Sequence, residues 1–371
     1  MDSLKDVENI LREASERKGV LSFAGGFPAV ELFPNSILAD AALEALDSQE
    51  KTHSLQYGWP EGESWLRRWI ADRLRARGAE VDPDEVVITA GAQQALSLAV
   101  ECLVGPGARV RVDAHSYPGA LELFRAQDAV LQEHWRGADC AYVMPGPANP
   151  LGVDLLEGQL STLLEQRCPI IADEAYTETQ FDGHLPRPLL GRIRERVWHI
   201  GTVSKTLCPG LRVGWLIPPS AELETIKRHK QLRDLQTGTF TQTLLIQAMQ
   251  ELDYDAHLRR SRTLYAERAR AMAEGLRSLF PEWSFAMPEG GFSIWIETRY
   301  AGPENAFLRL ALEQGVVFDP GALYFAEPED QPLSLRLCFS RLAPGEIQEA
   351  LWRLRRAWEG FLAEKPAEIA A

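Results

Sequence analysis

The stretch 199-HIGTVSKTLCPGLRVGW-215 begins as a buried apolar strand. It then sets Ser204, Lys205 and Thr206 side by side, ahead of Pro209-Gly210 and a single cation, Arg212. In open parallel α/β sheets the chemistry gathers outside the carboxyl ends of the strands, and Lys205 falls just past such an end. Taken alone, a lysine there caps the strand or reaches for solvent along its own methylenes. A phosphate-binding loop is excluded. That motif needs a glycine directly before the lysine and another five residues before that, where this chain has Ser204 and His199. Ser48 and Lys51 also match an S-x-x-K spacing, but they sit on a polar segment with no partner motif. The role left for Lys205 is a Schiff-base amine. An amine beside other cations sheds its proton more readily, and only the neutral form attacks an aldehyde.

Working outward, helix and strand patterns alternate. An amphipathic helix over 63–78 leads to a strand at 86–89, a small-residue turn at 90–94 and a helix over 94–104. Strands follow near 108–112, 129–135 and 141–144, with helices near 117–127 and 154–166. Two all-apolar runs, 169–172 and 197–202, complete the set. Continuous apolar strands between amphipathic helices predict a mostly parallel sheet covered on both faces. Past residue 254 the texture changes. A long charged helix over 254–280 crosses into a region with strands at 292–297 and 333–339 and helices at 306–315 and 344–364. The reading is α/β, with a large domain over 36–265 and a small α+β domain formed by 1–35 with 266–371.

Composition narrows the function. The chain has 371 residues, enough for two lobes with a pocket at their seam. A net charge of −14 argues against nucleic acid and against an anionic membrane as partners. Five scattered cysteines without a C-x-x-C pair read as reduced thiols, and seven scattered histidines show no metal-ligand spacing. No signal-peptide core and no apolar run long enough to span a bilayer are present, so a cytoplasmic protein is expected.

A Schiff-base lysine calls for an aldehyde, and pyridoxal phosphate is the obvious one. It demands an anion for the ring nitrogen, a phosphate cradle and a group on the ring face. Asp173 closes the run 169-PIIADEAY-176 at another strand end, where a carboxylate can keep the pyridine nitrogen protonated. Tyr176 is three residues on, within reach of the phenolic oxygen, and Asn149 in 147-PANPLG-152 is a second donor held in a rigid turn by Pro150. The turn 90-AGAQQ-94 opens a helix whose free first-turn amides attract an anion, and Thr202, Ser204 and Arg212 add hydroxyls and a guanidinium. Tyr117, after the strand end at 113-DAHSYPGA-120, is placed to lie on the ring.

At this point the chain resembles the fold-type I, class I/II aminotransferases, nearest to the subgroup of 2-aminoadipate aminotransferases and the aminotransferase-like domains of winged-helix regulators. The likeness covers nearly the whole length, through 21-LSFAGGFPAVELFP-34, 57-YGWPEG-62, 90-AGAQQAL-96, 147-PANPLG-152, 173-DEAY-176, 202-TVSKTLCPGLRVGW-215, 289-EGGFSIW-295 and 335-LRLCFS-340. It implies a seven-stranded, mostly parallel sheet between helices, and pyridoxal 5'-phosphate as cofactor. It makes Lys205 the cofactor-linked lysine and the carrier of the proton. Asp173 would meet the ring nitrogen, Asn149 and Tyr176 the phenolic oxygen, and Tyr117 the ring face. Ala92, Gln93, Ser204 and Arg212 would hold the phosphate. Tyr57 would reach the phosphate of a neighbouring subunit, which implies a homodimer. Arg336 would clamp the substrate's α-carboxylate beside Gly26; a lone cation inside 333-LSLRLCF-339 needs a partner in any case.

Two departures stand out. Leu151 replaces the threonine usual after Asn149-Pro150. Asn9 or Ile10 falls near the point where some aminoadipate enzymes place a side-chain-selecting arginine, which argues against a dicarboxylic substrate. Phe23, Phe27 and Trp59 point instead to an apolar or aromatic side-chain pocket. The expected activity is transfer of the amino group of an L-amino acid to a 2-oxo acid by a ping-pong route. The alternatives are a lyase or amino-acid cyclase working from the same carbanion, or a non-catalytic ligand sensor on the same fold. Cys208, three residues from Lys205, is taken as a packing residue.

Overall fold

The computed structural model describes residues 2–47, 53–327 and 331–364; Ser48 and Lys51 lie outside the described residues. The chain opens with α1 (Asp2–Glu16), β1 (Leu21–Ser22) and α2 (Asn35–Asp47), and α3 (Ser64–Ala76) leads into the main sheet. There strands and helices alternate: β2 (Val87–Thr89), α4 (Ala92–Leu103), β3 (Arg109–Arg111), α5 (Pro118–Ala126), β4 (Val130–Gln132), β5 (Cys140–Val143), α6 (Glu157–Glu165), β6 (Ile170–Asp173), β7 (Val197–Thr202) and β8 (Gly214–Ile217). Two further helices, α7 (Leu223–Asp234) and α8 (Thr239–Glu251), precede the long α9 (Tyr254–Leu279). The remainder comprises β9 (Ser293–Glu297), α10 (Glu304–Glu313), β10 (Val316–Val317), β11 (Asp319–Pro320), β12 (Ser334–Cys338) and α11 (Pro344–Ala363).

The seven-stranded sheet has the order β2-β8-β7-β6-β5-β3-β4 and is parallel except for β8, which runs against both neighbours. Strands β5, β6 and β7 are buried at every position, because apolar clusters pack on both faces of the sheet. This is why their sequences run apolar without alternation. A three-stranded antiparallel sheet, β11-β12-β9, lies beyond α9, and β1 pairs in parallel with β10. The boundary expected near residue 265 falls inside α9. Among the described residues no helix is long and apolar enough to cross a membrane.

Register explains where the chemistry can sit. Thr89 at the end of β2 pairs with Gly214, and Gly214 pairs in turn with Thr202 at the end of β7. Asp173 at the end of β6 pairs with Ile200. The turn 90–94, the turn 203–206 and the carboxylate of Asp173 therefore emerge on one edge of one sheet. Between α3 and α9, three elements were not marked by the sequence pattern: β8, α7 and α8. The strand is only 4 residues long, and α7 reads LETIKRHKQLRD, in which only Ile226 and Lys230 are buried.

Candidate active site

That sheet edge opens into a cavity of about 300 Å³. The turn after β7 sends Lys205 into it, and Nζ donates to the carbonyl of Gly26 at 2.8 Å. The same amine stands 5.1 Å from the ring centroid of Tyr176. Gly26 is required by close approach: a Cβ there would lie 2.8 Å from both Arg336 Nη2 and Tyr176 Oη. Three groups from distant parts of the chain thus converge on one backbone atom cluster.

Asp173 is 5% exposed. Its Oδ1 accepts the Ala175 N–H at 3.0 Å and its Oδ2 accepts the hydroxyl of Tyr142 at 2.9 Å. Burial pushes its carboxyl above the ordinary carboxylate range, while those two donors and the charge of Lys205 oppose the shift. Tyr142 was missed in the sequence. Its signal was there, since a phenol inside the buried run 140–143 must find an acceptor. Asn149 is buried, and its Oδ1 has no hydrogen-bond partner. The Asn149–Pro150 peptide is cis.

At the other end of the cavity, Gly91 adopts φ 85° just before α4. Glycine is favoured by that left-handed φ, and a Cβ would also meet Arg212 Nη2 at 2.5 Å. Arg212 Nη2 donates to the carbonyl of Ala90 at 3.2 Å. Thr202 Oγ1 bonds Ser204 Oγ at 2.9 Å. Ala92, Gln93, Ser204, Thr202 and Arg212 all line the cavity, so hydroxyls, first-turn amides and a guanidinium face one volume, as an anion requires. Tyr117 lines it too, and its hydroxyl donates to Gln93 Oε1 at 3.1 Å. Burial, with Asp173 nearby, pushes that phenol up to about 12.

Arg336 sits in the middle of β12 and is 3% exposed. The partner its position demanded is Asp319 on β11, at 2.8 Å from Nη1. Tyr324 Oη accepts from the same nitrogen at 2.8 Å, and Ser293 Oγ accepts from Nε at 3.1 Å. Nη2 is left on the cavity side, next to Gly26. Asp319, Tyr324 and Ser293 were not read from the sequence, because each lies on its own segment and only tertiary pairing joins them.

Behind Asp173, Glu174 is buried against Arg77 Nη2 at 2.6 Å and His199 Nδ1 at 3.4 Å. Burial alone would raise its carboxyl, but Arg77 and His199 pull it down to about 2. Beside the three-stranded sheet, Glu304 accepts the N–H of Ala322 at 2.9 Å and of Ser334 at 3.3 Å. Burial outweighs those bonds and pushes Glu304 up to about 7.

Not every expectation holds. Of the three rings proposed for a side-chain pocket, Phe27 alone lines the cavity; Phe23 is fully buried core and Trp59 is 76% exposed on the surface. The periodicity of 21–34 is too short to separate a core ring from a lining ring. Tyr57, expected to serve a neighbouring subunit, lies outside this chain's own cavity and is 76% exposed. Asn9 is exposed and Ile10 is core, so neither reaches the cavity. Leu151 packs against Trp295, Tyr324 and Phe325. Cys208 packs in the core on one sheet face, and burial pushes its thiol up to about 11.

A family model described as aminotransferase class I and II matches residues 30–354. The chain belongs to the class I and II aminotransferases. A 2-aminoadipate transaminase from Thermus thermophilus is 33% identical, over 95% of this aminotransferase and 94% of the relative. The solved structure of LysN, an α-aminoadipate aminotransferase from the same species complexed with N-(5'-phosphopyridoxyl)-L-leucine, superposes with a TM-score of 0.85. It is 32% identical and covers 96% of this chain and 95% of that one. A kynurenine aminotransferase from Pyrococcus horikoshii gives 0.88 at 27% identity, covering 96% and 94%. This aminotransferase therefore uses pyridoxal phosphate to move an amino group between an amino acid and a 2-oxo acid. The cavity fits the cofactor: the partnerless amide of Asn149, the buried carboxylate of Asp173 and the anion cup at Gly91 meet its ring and phosphate demands.

Proposed function

We propose that the donor is an L-amino acid with an apolar or aromatic side chain and that its amino group passes to a 2-oxo acid in a ping-pong cycle. One observation carries the substrate class. The cavity holds three basic groups, Lys205, Arg212 and Arg336, and each has a use other than binding a side chain. None is left for a distal carboxylate among the described lining residues. Phe27, 53% exposed, stands at the cavity as a wall for an apolar group.

Pyridoxal phosphate, when bound, supplies the aldehyde that takes up the amino group and a ring that accepts the electrons released at Cα. The chain's residues do the rest. Ala92, Gln93, Ser204 and Arg212 hold the phosphate, with Thr202 fixing the Ser204 hydroxyl. Asp173, braced by Tyr142, would meet the ring nitrogen and keep it protonated. Asn149 and Tyr176 would bind the phenolic oxygen, and Tyr117 would cover the ring. Arg336 Nη2 grips the substrate α-carboxylate in the space that Gly26 leaves open. Lys205 Nζ would accept the proton from Cα and hand it on.

The active unit proposed is a homodimer in which Tyr57 reaches the neighbour's phosphate. It is supported by exposed apolar side chains flanking Tyr57 and Trp59 in the chain, Leu43, Leu46 and Leu55, and by the exposed Leu235, whose neighbour Gln236 accepts the N–H of Gly58. Exposed apolar side chains that gather call for a partner surface. A donor panel tests the substrate reading. Phenylalanine, leucine, glutamate and 2-aminoadipate are mixed with the purified protein, the visible cofactor band is followed, and the 2-oxo product is identified by mass. Preference for the dicarboxylic donors would overturn it, and ammonia release without the aminated cofactor would point to elimination instead.

A further inference from the structure

Lys230 is the one lysine among the described residues that is fully buried, at 0% exposure, and no step above uses it. It lies on α7, which packs against α4. Nζ donates to Asp234 Oδ1 at 2.9 Å and Oδ2 at 3.0 Å, and faces Gln94 Oε1 at 3.4 Å. Gln94 is clamped at both ends. Its Nε2 donates to Asp234 Oδ2 at 2.5 Å, and its Oε1 accepts the N–H of Ala90 at 2.7 Å. Ala90 opens the anion cup, and its carbonyl accepts from Arg212. Gly91 is closed in the same way: its N–H donates to Thr89 O at 2.8 Å, and its own carbonyl accepts from Thr89 Oγ1 at 3.0 Å. The peptide leading into α4 is thus gripped from behind by a glutamine that a half-buried ion pair, Lys230 at 0% exposure with Asp234 at 26%, holds in one orientation.

Burial of an ion pair adds little net stability over apolar packing of similar volume, so a retained pair calls for another purpose. Neutral overall, the pair also contributes little field to a phosphate. Its effect is geometric. With Lys230 and Asp234 in place, Gln94 presents its carbonyl to Ala90, and the cup amides of Ala92 and Gln93 keep their aim. Without them the Gln94 amide is free to turn, and the entry peptide loses the acceptor that sets its tilt. A small rotation there moves every donor in the cup.

We propose that Lys230 and Asp234 are a positioning pair for the phosphate end of the cofactor site, acting through Gln94 on the turn Ala90–Gln93. This rests on the cup assignment made under Proposed function. The test uses apoprotein of the full chain and two probes, pyridoxal phosphate and pyridoxal, which differ only in the phosphate. Dissociation constants are measured for Lys230→Met, Gln94→Leu and the double variant. Each single variant is expected to weaken pyridoxal phosphate about tenfold, the loss of one hydrogen-bonded contact, and to leave pyridoxal unchanged. The double variant should be no weaker than either single, because both break one linkage. An unchanged ratio of the two probes in Gln94→Leu, or additive losses in the double, overturns the proposal. If Lys230→Met fails to fold, Gln94→Leu decides alone. Arg212→Met separates the two layers. Should it too leave the ratio unchanged, the cup assignment fails and takes this proposal with it. Should it lower the ratio while Gln94→Leu does not, only the positioning role fails.

Discussion

The two ends of the cavity are built in opposite ways. The cofactor end is made of turns that directly follow strands of one sheet: 90–94 after β2, 174–176 after β6 and 203–206 after β7. Each places its functional residue by local chain direction and strand register. The end proposed to bind the carboxylate is assembled from Gly26, Ser293, Asp319, Tyr324 and Arg336, drawn from both extremes of the chain and joined by side-chain bonds. The contrast predicts that a functional residue at a strand end can be replaced without unfolding its surroundings, whereas a clamp made of buried partners fails as a unit.

The largest effect belongs to the first kind of site. Lys205→Ala is expected to lower kcat by about 10²–10⁴-fold, the range for removing a positioned proton carrier. Reduction with borohydride should then leave no cofactor on the peptide containing residue 205. The fold should survive, because among the described residues the one hydrogen bond of the Lys205 side chain goes to the Gly26 carbonyl.

Arg336→Met probes the second kind. It should raise the KM for the amino acid by about 10- to 100-fold through loss of a charge-assisted contact. It should also destabilise the protein by about 3–5 kcal/mol, because Asp319 is left buried and unpaired. Adding Asp319→Asn should recover most of the stability and none of the KM. Recovery of both would show that the arginine is structural and does not meet the substrate.

Acid titration separates the two regions by sign. Glu174, held at about 2 instead of its ordinary 4.5, is ionised in the fold while the unfolded chain takes up a proton. Its contribution is complete above pH 4.5 and is lost as pH falls toward 2. Glu304, raised to about 7, keeps a proton that the unfolded chain releases. Its contribution is complete below pH 4.5 and fades as pH rises to 7. Each is worth up to about 3 kcal/mol. Denaturant melts of Glu174→Gln and Glu304→Gln across pH 3–8 should each remove one slope and leave the other.

The smallest expected effect is at Tyr142. Tyr142→Phe removes one donor from a buried carboxylate and should lower kcat about tenfold, with Asp173 titrating higher in the pH profile. An unchanged profile would mean that the Ala175 amide suffices to brace Asp173.

The same contrast governs what could be read before the fold was known. Lys205, Asp173, Asn149 and the 90–94 turn were legible because each follows an apolar strand, and strand ends are where a parallel sheet gathers its chemistry. Arg336 was legible only as an anomaly, a cation in an apolar strand that needed a partner somewhere. Asp319, Tyr324 and Ser293 were not, since nothing local links them to it. Helix α7 escaped for a different reason. Its inward face carries Lys230, whose burial depends on Asp234 and Gln94, so hydrophobic periodicity had nothing to register. Phe23 shows the converse, a ring whose chemistry fits a pocket but whose placement is set by core packing, while Trp59 stands exposed on the surface.

The pairing of β1 with β10 joins Leu21 to Val316 and Ser22 to Val317. All seven strands of the main sheet, by contrast, lie between Val87 and Ile217. During synthesis from the ribosome, every strand of the main sheet is made while some two fifths of the polypeptide is still to come. The segment bearing Gly26 waits for Val316 and Val317 before its strand has a partner. The strands that carry Lys205 and Asp173 are thus complete in the emerging chain well before the strand beside Gly26 can be paired.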